Sequence, residues 1–81
     1  MYFVYFLRIN KDGYLYIGST NDVNRLLREH NAGLVSSTKS RRPLALLGYE
    51  IYSSEVDSVN GEREWKKGYK REELRKRYNL S

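Results

Sequence analysis

The sequence predicts an α/β fold, a small three-stranded antiparallel sheet flanked by helices, and three observations carry that expectation. Two aromatic and β-branched runs, "YFVYFLRI" at 2–9 and "YLYIG" at 14–18, stand on either side of an Asp-Gly turn. A third apolar run, "LALLGYEIY" at 44–52, follows a polar loop. Segments with helical spacing and cap residues fill the intervals after the second and third runs. Eighty-one residues bury too little apolar surface for two cores, so the chain is expected to be one domain over 1–81.

The first run has the composition of a strand, and "NKDG" at 10–13 supplies the positive φ of a tight hairpin, so "YLYIG" returns antiparallel to it. Alternation places Phe3, Tyr5 and Leu7 on one face of the first strand and Tyr14, Tyr16 and Gly18 on one face of the second, so two tyrosines converge if those faces match. In "TNDVNRLLREHNAG", Thr20, Asn21 and Asp22 are capping candidates and Gly33 follows the last turn. Val23, Leu26, Leu27 and His30 recur at helical spacing and form one inward face. "LVSSTKSRR" is a polar loop ending at Pro43. The run from Leu44 to Tyr52 is continuous enough in apolar residues to be a central strand or one covered on both faces.

A second helix is expected from the serines at 53 and 54, with Asp57 in capping-box position, to a stop at Gly68. On it Val59, Glu62 and Trp65 fall within one arc, with Glu62 in the middle and Glu64 pointing almost the opposite way. A carboxylate on a packing face needs a partner. Gly61 weakens the helix and invites a close approach. The last segment, "KREELRKRYNL", is a basic helix anchored by Leu74 and Tyr78.

Charge narrows the functions. The chain carries +5, of which +4 lies from Glu62 onward, where eight Lys and Arg face four Glu; "KSRRP" at 39–43 is a second knot. Such patches suit a phosphate backbone, although a solvated basic helix would look the same. With no cysteine there is neither a disulfide framework nor a Cys-based zinc site. The longest apolar stretch, Tyr2 to Leu7, is far short of the roughly 20 residues of a membrane span. The expectation is a soluble, cytoplasmic monomer with no membrane partner.

Taken in order, these pieces resemble the GIY-YIG nuclease family, in particular its small single-domain bacterial members, and the likeness spans essentially the whole chain. The second half of the signature stands as Tyr16-Ile17-Gly18; the first half appears as Phe3-Val4-Tyr5, with its tyrosine kept. "REHNAG", "STKSRRPL" and the stretch from Glu62 through "WKKG" resemble the family's helix end, loop and glutamate helix. The resemblance implies a DNA endonuclease dependent on Mg²⁺ or Mn²⁺, of the kind used in repair or recombination. It implies Tyr5 and Tyr16 as the paired tyrosines, one of which deprotonates the attacking water, Glu62 as the metal ligand, and His30 as a support for the nucleophile or a phosphate. The family's arginine, eight residues after the motif glycine, falls at Leu26.

That departure matters chemically. Phosphodiester hydrolysis needs a hydroxide, stabilised phosphoryl oxygens and help for the leaving oxygen, and an arginine grips phosphate bidentately where leucine cannot. One glutamate is enough to seat Mg²⁺, which keeps most of its waters. Arg25 and Arg28 are rotated off the inward face, so His30, or Lys39, Arg41 and Arg42 from the loop, are the candidates to compensate. Lys39, Arg41, Arg42, Lys66, Lys67, Lys70, Arg71 and Arg75 are the candidate DNA contacts. Each residue has a plainer reading: the tyrosines as sheet aromatics, Glu62 as an acid tied to Lys66 at i+4, His30 as a helix C-terminal dipole partner. The rival functions are a catalytically impaired nucleic-acid-binding module and a basic RNA-associated protein.

Overall fold

The computed structural model describes residues 1–80. Its sheet has the order β2-β1-β3, with β1 (Tyr2–Ile9) paired antiparallel to both β2 (Leu15–Thr20) and β3 (Leu44–Tyr52). The strands carry three helices, α1 (Val23–Asn31), α2 (Glu55–Trp65) and α3 (Gly68–Arg77), and a 3₁₀ turn covers Lys39–Arg41.

The hairpin forms where the Asp-Gly pair puts it. Gly13 adopts φ +73°, and the Asp12 carboxylate accepts from the Tyr14 amide. β1 is then central, because its four consecutive buried residues, Val4 to Leu7, need cover on both sides. Val4 and Phe6 join Leu15, Ile17, Trp65 and Leu74 in one cluster, under α2 and α3. Tyr5, Leu7 and Ile9 join Leu44 in the other, against which Tyr16, Leu46 and the α1 residues Leu26 and Leu27 pack. Each fully buried large apolar side chain contributes roughly 1.5–3 kcal/mol, so the two faces of one strand nucleate both cores.

α1 is fixed at both ends by short-range chemistry. Asp22 caps it by accepting from the Arg25 amide. Gly33, at φ +80°, closes it in a Schellman motif, with its own amide on the His30 carbonyl and the Leu34 amide on the Glu29 carbonyl.

Two expectations from the sequence are corrected. The run Leu44–Tyr52 is an edge strand rather than a central one, and Tyr49 and Ile51 on it are largely exposed. Its apolar residues serve both faces through a bulge: Phe6 pairs with Gly48 and Leu7 with Leu46, leaving Leu47 without a partner on β1. The glutamate helix stops at Trp65 rather than at Gly68, which opens α3. Trp65 and Leu74 both bury in the same cluster, yet nine residues at 100° would place them on opposite sides of one helix, so the chain breaks at Lys66 and Lys67.

The close approach that Gly61 invites is made by Tyr52, whose ring a Cβ at position 61 would strike. The Tyr52 hydroxyl then accepts from the Trp65 indole at 3.2 Å, tying α2 to the end of β3.

Candidate active site

The pairing register settles whether the tyrosines share a face. Tyr5 stands opposite Gly18 and Leu7 opposite Tyr16, so Tyr5 and Tyr16 are diagonal neighbours on the α1 side of the sheet. Their rings lie 6.3 Å apart and nearly parallel at 21°. Gly18 permits this, because the Tyr5 ring crosses it where a side chain would stand.

His30, at the last turn of α1, completes the cluster. It is almost fully buried, with the Tyr16 ring edge-on at 5.2 Å and the Tyr5 hydroxyl 3.4 Å from Nε2. Nδ1 lies 2.8 Å from the Thr38 hydroxyl, which itself points to the Val35 carbonyl at 3.5 Å. The Thr38 hydroxyl and the Tyr5 phenol thus engage the two ring nitrogens, one of which carries the proton of the neutral imidazole.

Burial shifts both groups toward their neutral forms. It raises the Tyr5 pKa well above that of free tyrosine, and the neighbouring Tyr16 and Glu62 charges push the same way. Burial also depresses the His30 pKa, against an opposing contribution from Glu29. At neutral pH the pair is therefore a protonated phenol beside a neutral imidazole. Tyr16 is less enclosed, and its hydroxyl lies 3.4 Å from that of Ser37.

Glu62 approaches from α2. Burial would raise its pKa, but the Lys66 ammonium, the Ser19 hydroxyl and Arg63 outweigh it and hold the carboxyl below the ordinary range. The Lys66 Nζ sits 2.6 Å from Oε2. Two hollows of about 430 Å³ each flank this point. One includes Tyr14, Tyr16, Lys66 and Arg71 in its walls. The other includes Ser19, Arg25, Leu26 and Ser58. Glu62, reaching Lys66 on one side and Ser19 on the other, stands between them. Tyr5 and His30 are buried behind Tyr16 rather than lining a groove.

Leu26 packs on the Tyr5 cluster and shows its remaining surface to the second hollow. Arg25, expected to point away, lines that hollow too, with its guanidinium on Asn21 at 2.7 Å and near Glu29 at 4.0 Å. The loop cations are engaged elsewhere. Arg41 pairs with Asp12 at 2.9 Å and stacks on Tyr14, and Arg42 donates to the Lys39 and Asn31 carbonyls. Lys39 is exposed on the 3₁₀ turn.

The C-terminal cations divide in the same way. Lys67 pairs with Glu64, and Lys70 with Glu73 while covering the Trp65 ring. Arg71 donates to the Leu15 carbonyl at 2.7 Å and lies over Tyr14, whereas Arg75 lines a separate hollow with Glu72, Lys76 and Asn79.

Sequence reasoning missed Thr38 and Ser19, placed Tyr14 beside Tyr16 without giving it a role, and set Arg25 aside as rotated off the inward face. Thr38 and Ser19 carry no pattern of their own, since a hydroxyl in a polar loop or at a strand end becomes distinctive only when its partner is placed. Tyr14 had the alternation signal that exposed Tyr16 to notice.

Among the described residues no three His, Cys, Asp or Glu side chains gather into a metal-binding group. Glu62 brings one ionised carboxylate, paired with Lys66, and the Ser19 hydroxyl beside it. Such a set fits a hard cation of the Mg²⁺ type that retains its waters, and not a zinc-like ion needing three or four protein ligands.

A family model described as the GIY-YIG catalytic domain matches residues 1–79. A UPF0213 protein of Listeria welshimeri is 37% identical over 67 residues, covering 82% of this chain and 73% of that protein. A UPF0213 protein of Staphylococcus aureus is 36% identical over 75 residues, covering 91% and 90%. The solution NMR structure of a UPF0213 protein from Bacillus halodurans is 33% identical, covers 91% of this chain and 82% of its own, and superposes with a TM-score of 0.55.

Proposed function

Because this chain belongs to the GIY-YIG catalytic-domain family, whose nuclease-type chemistry implies a nucleic-acid partner, we propose that it is a single-domain, metal-dependent DNA endonuclease weakened by the leucine at position 26. The observation that carries the reading is the clustering of Tyr5, Tyr16 and His30 on the sheet face beside Gly18, with the ionised Glu62 at the neighbouring Ser19.

Glu62 would hold Mg²⁺ or Mn²⁺, which when bound supplies positive charge to a phosphoryl oxygen and acidifies water. Tyr16, at the wall of the hollow, would be the tyrosine that meets an attacking water. Tyr5 orients it through ring contact and keeps its own proton on the His30 side, because burial disfavours the phenolate. Leu26 offers no donor where a charge would meet the phosphate.

The test is cleavage of supercoiled and branched DNA in Mg²⁺ and Mn²⁺. The unmodified protein should cut slowly, and Leu26→Arg should accelerate it by about 10²-fold, the magnitude associated with one charge-stabilising donor. Glu62→Ala should abolish cutting in both backgrounds while Glu64→Ala does not. One observation favours a second reading, a module that only binds nucleic acid: the carboxylate is already neutralised by Lys66. Folded Leu26→Arg protein that binds DNA and never cuts it would establish that reading instead.

A further inference from the structure

The ammonium of Lys66 and the tyrosine-lined hollow belong to one device. We propose that Lys66 is an exchangeable cation: it occupies Glu62 when no metal is bound and transfers to a substrate phosphate in the hollow it shares with Arg71 when a divalent ion takes the carboxylate. The inference rests on the nuclease reading of Glu62 and gives Lys66, so far only a candidate DNA contact, a second role.

Three observations support it. The Nζ–Oε2 contact of 2.6 Å puts a full positive charge on the Glu62 carboxylate, and among the described residues no three acids or histidines gather there to hold a cation without it. An incoming cation must therefore displace the ammonium or share one anion with it, and two cations on one carboxylate oppose each other. The lysine side chain is half exposed while the glutamate side chain is only 24% exposed, so the mobile partner is the ammonium on its flexible stem, not the acid. Finally, Lys66 lines the hollow with Tyr14, Tyr16 and Arg71. A phosphate entering there meets a second fixed cation, Arg71, whose guanidinium is held by the Leu15 carbonyl. A short swing moves Lys66 from one anion to the other, and metal and phosphate binding become coupled through it.

The test titrates Mn²⁺ into the full chain and into Lys66→Met and Lys66→Arg, read by paramagnetic broadening of the Ile17, Ser19 and Glu62 amide signals. Removing the competing ammonium should tighten Mn²⁺ binding by about tenfold in Lys66→Met, and Lys66→Arg should remain close to wild type. Anisotropy of a labelled DNA duplex in EDTA and in Ca²⁺ supplies the second readout. Ca²⁺ should strengthen DNA binding by wild type and by Lys66→Arg, and much less by Lys66→Met. If all three proteins bind Mn²⁺ equally at Ser19 and Glu62, or gain equally from Ca²⁺, the exchange is overturned while the metal site stands. If none shows broadening there, the metal reading of Glu62 fails and the exchange with it.

Discussion

A methyl group at position 18 would meet the Tyr5 hydroxyl and Cζ, and strand backbone on one side with buried His30 on the other leaves that ring little room to yield. Gly18→Ala is therefore expected to lower stability by about 1–3 kcal/mol, the range for overpacking, and to pull Tyr5 away from His30. Urea unfolding and the His30 ring signals measure the two effects; an alanine variant of wild-type stability with unmoved His30 signals would show that the glycine is incidental. His30 supplies a pH prediction. Because burial lowers its pKa in the folded state, the unfolded chain binds the proton first as pH falls below about 6.5. The contribution of the neutral imidazole is complete above that value and is lost progressively below it, down to the depressed folded pKa. Between about pH 7.5 and pH 5 the urea midpoint of the wild type should fall further than that of His30→Gln. Equal falls would mean that the imidazole protonates in place.

At the scale of elements, α3 does two jobs that charge counting merges. From sequence, neutralising Lys70, Arg71 and Arg75 together should flatten the salt dependence of DNA binding by up to about three units on a log-log plot, at roughly 0.9 per phosphate contact. The contacts divide that group: Lys70 covers Trp65 and pairs with Glu73, Arg75 faces a different hollow, and Arg71 alone of the three stands beside Tyr16. Arg71→Gln should thus reduce the slope by about 0.9, and lose about 1 kcal/mol of stability with the hydrogen bond to Leu15, while Lys70→Gln leaves the slope nearly unchanged. A slope that responds to Lys70 and not to Arg71 would move the DNA to the outer side of α3. The elements themselves were legible where their causes are local. Asp12-Gly13 makes the hairpin, Asp22 and Gly33 bracket α1, and Ser54 caps α2, each through contacts a few residues long. The break after Trp65 was not legible, because its cause is that Trp65 and Leu74 must reach one cluster, and that is a fact about the sheet beneath them.

For the whole molecule, both cores hang on β1, with Trp65 reporting one face and the Tyr5, Tyr16 and His30 group the other. Unfolding followed by Trp65 fluorescence and by the His30 ring signals should give coincident transitions, since neither cluster survives removal of the strand between them. Separated midpoints would show that the faces melt independently. Strand order is the part of the fold that sequence concealed. An apolar run at an edge and one at the centre look alike, and what distinguishes β1 is that its alternate residues meet helices from both sides. The tyrosines and glutamate were visible through a signature, whereas Thr38, which meets His30 Nδ1 at 2.8 Å, was not, because one hydroxyl in a polar loop resembles the next. The unpaired Leu47 has a consequence for how this chain can vary. On its N-terminal side Leu44 and Leu46 face α1, and on its C-terminal side Gly48 and Tyr52 face the opposite helices. The residue therefore acts as a change of phase, and losing it would set one half of the strand out of step with its layer. Length is thus more tightly constrained at this position than identity: replacing the leucine removes one contact, whereas deleting it would misassign the alternate residues of half a strand.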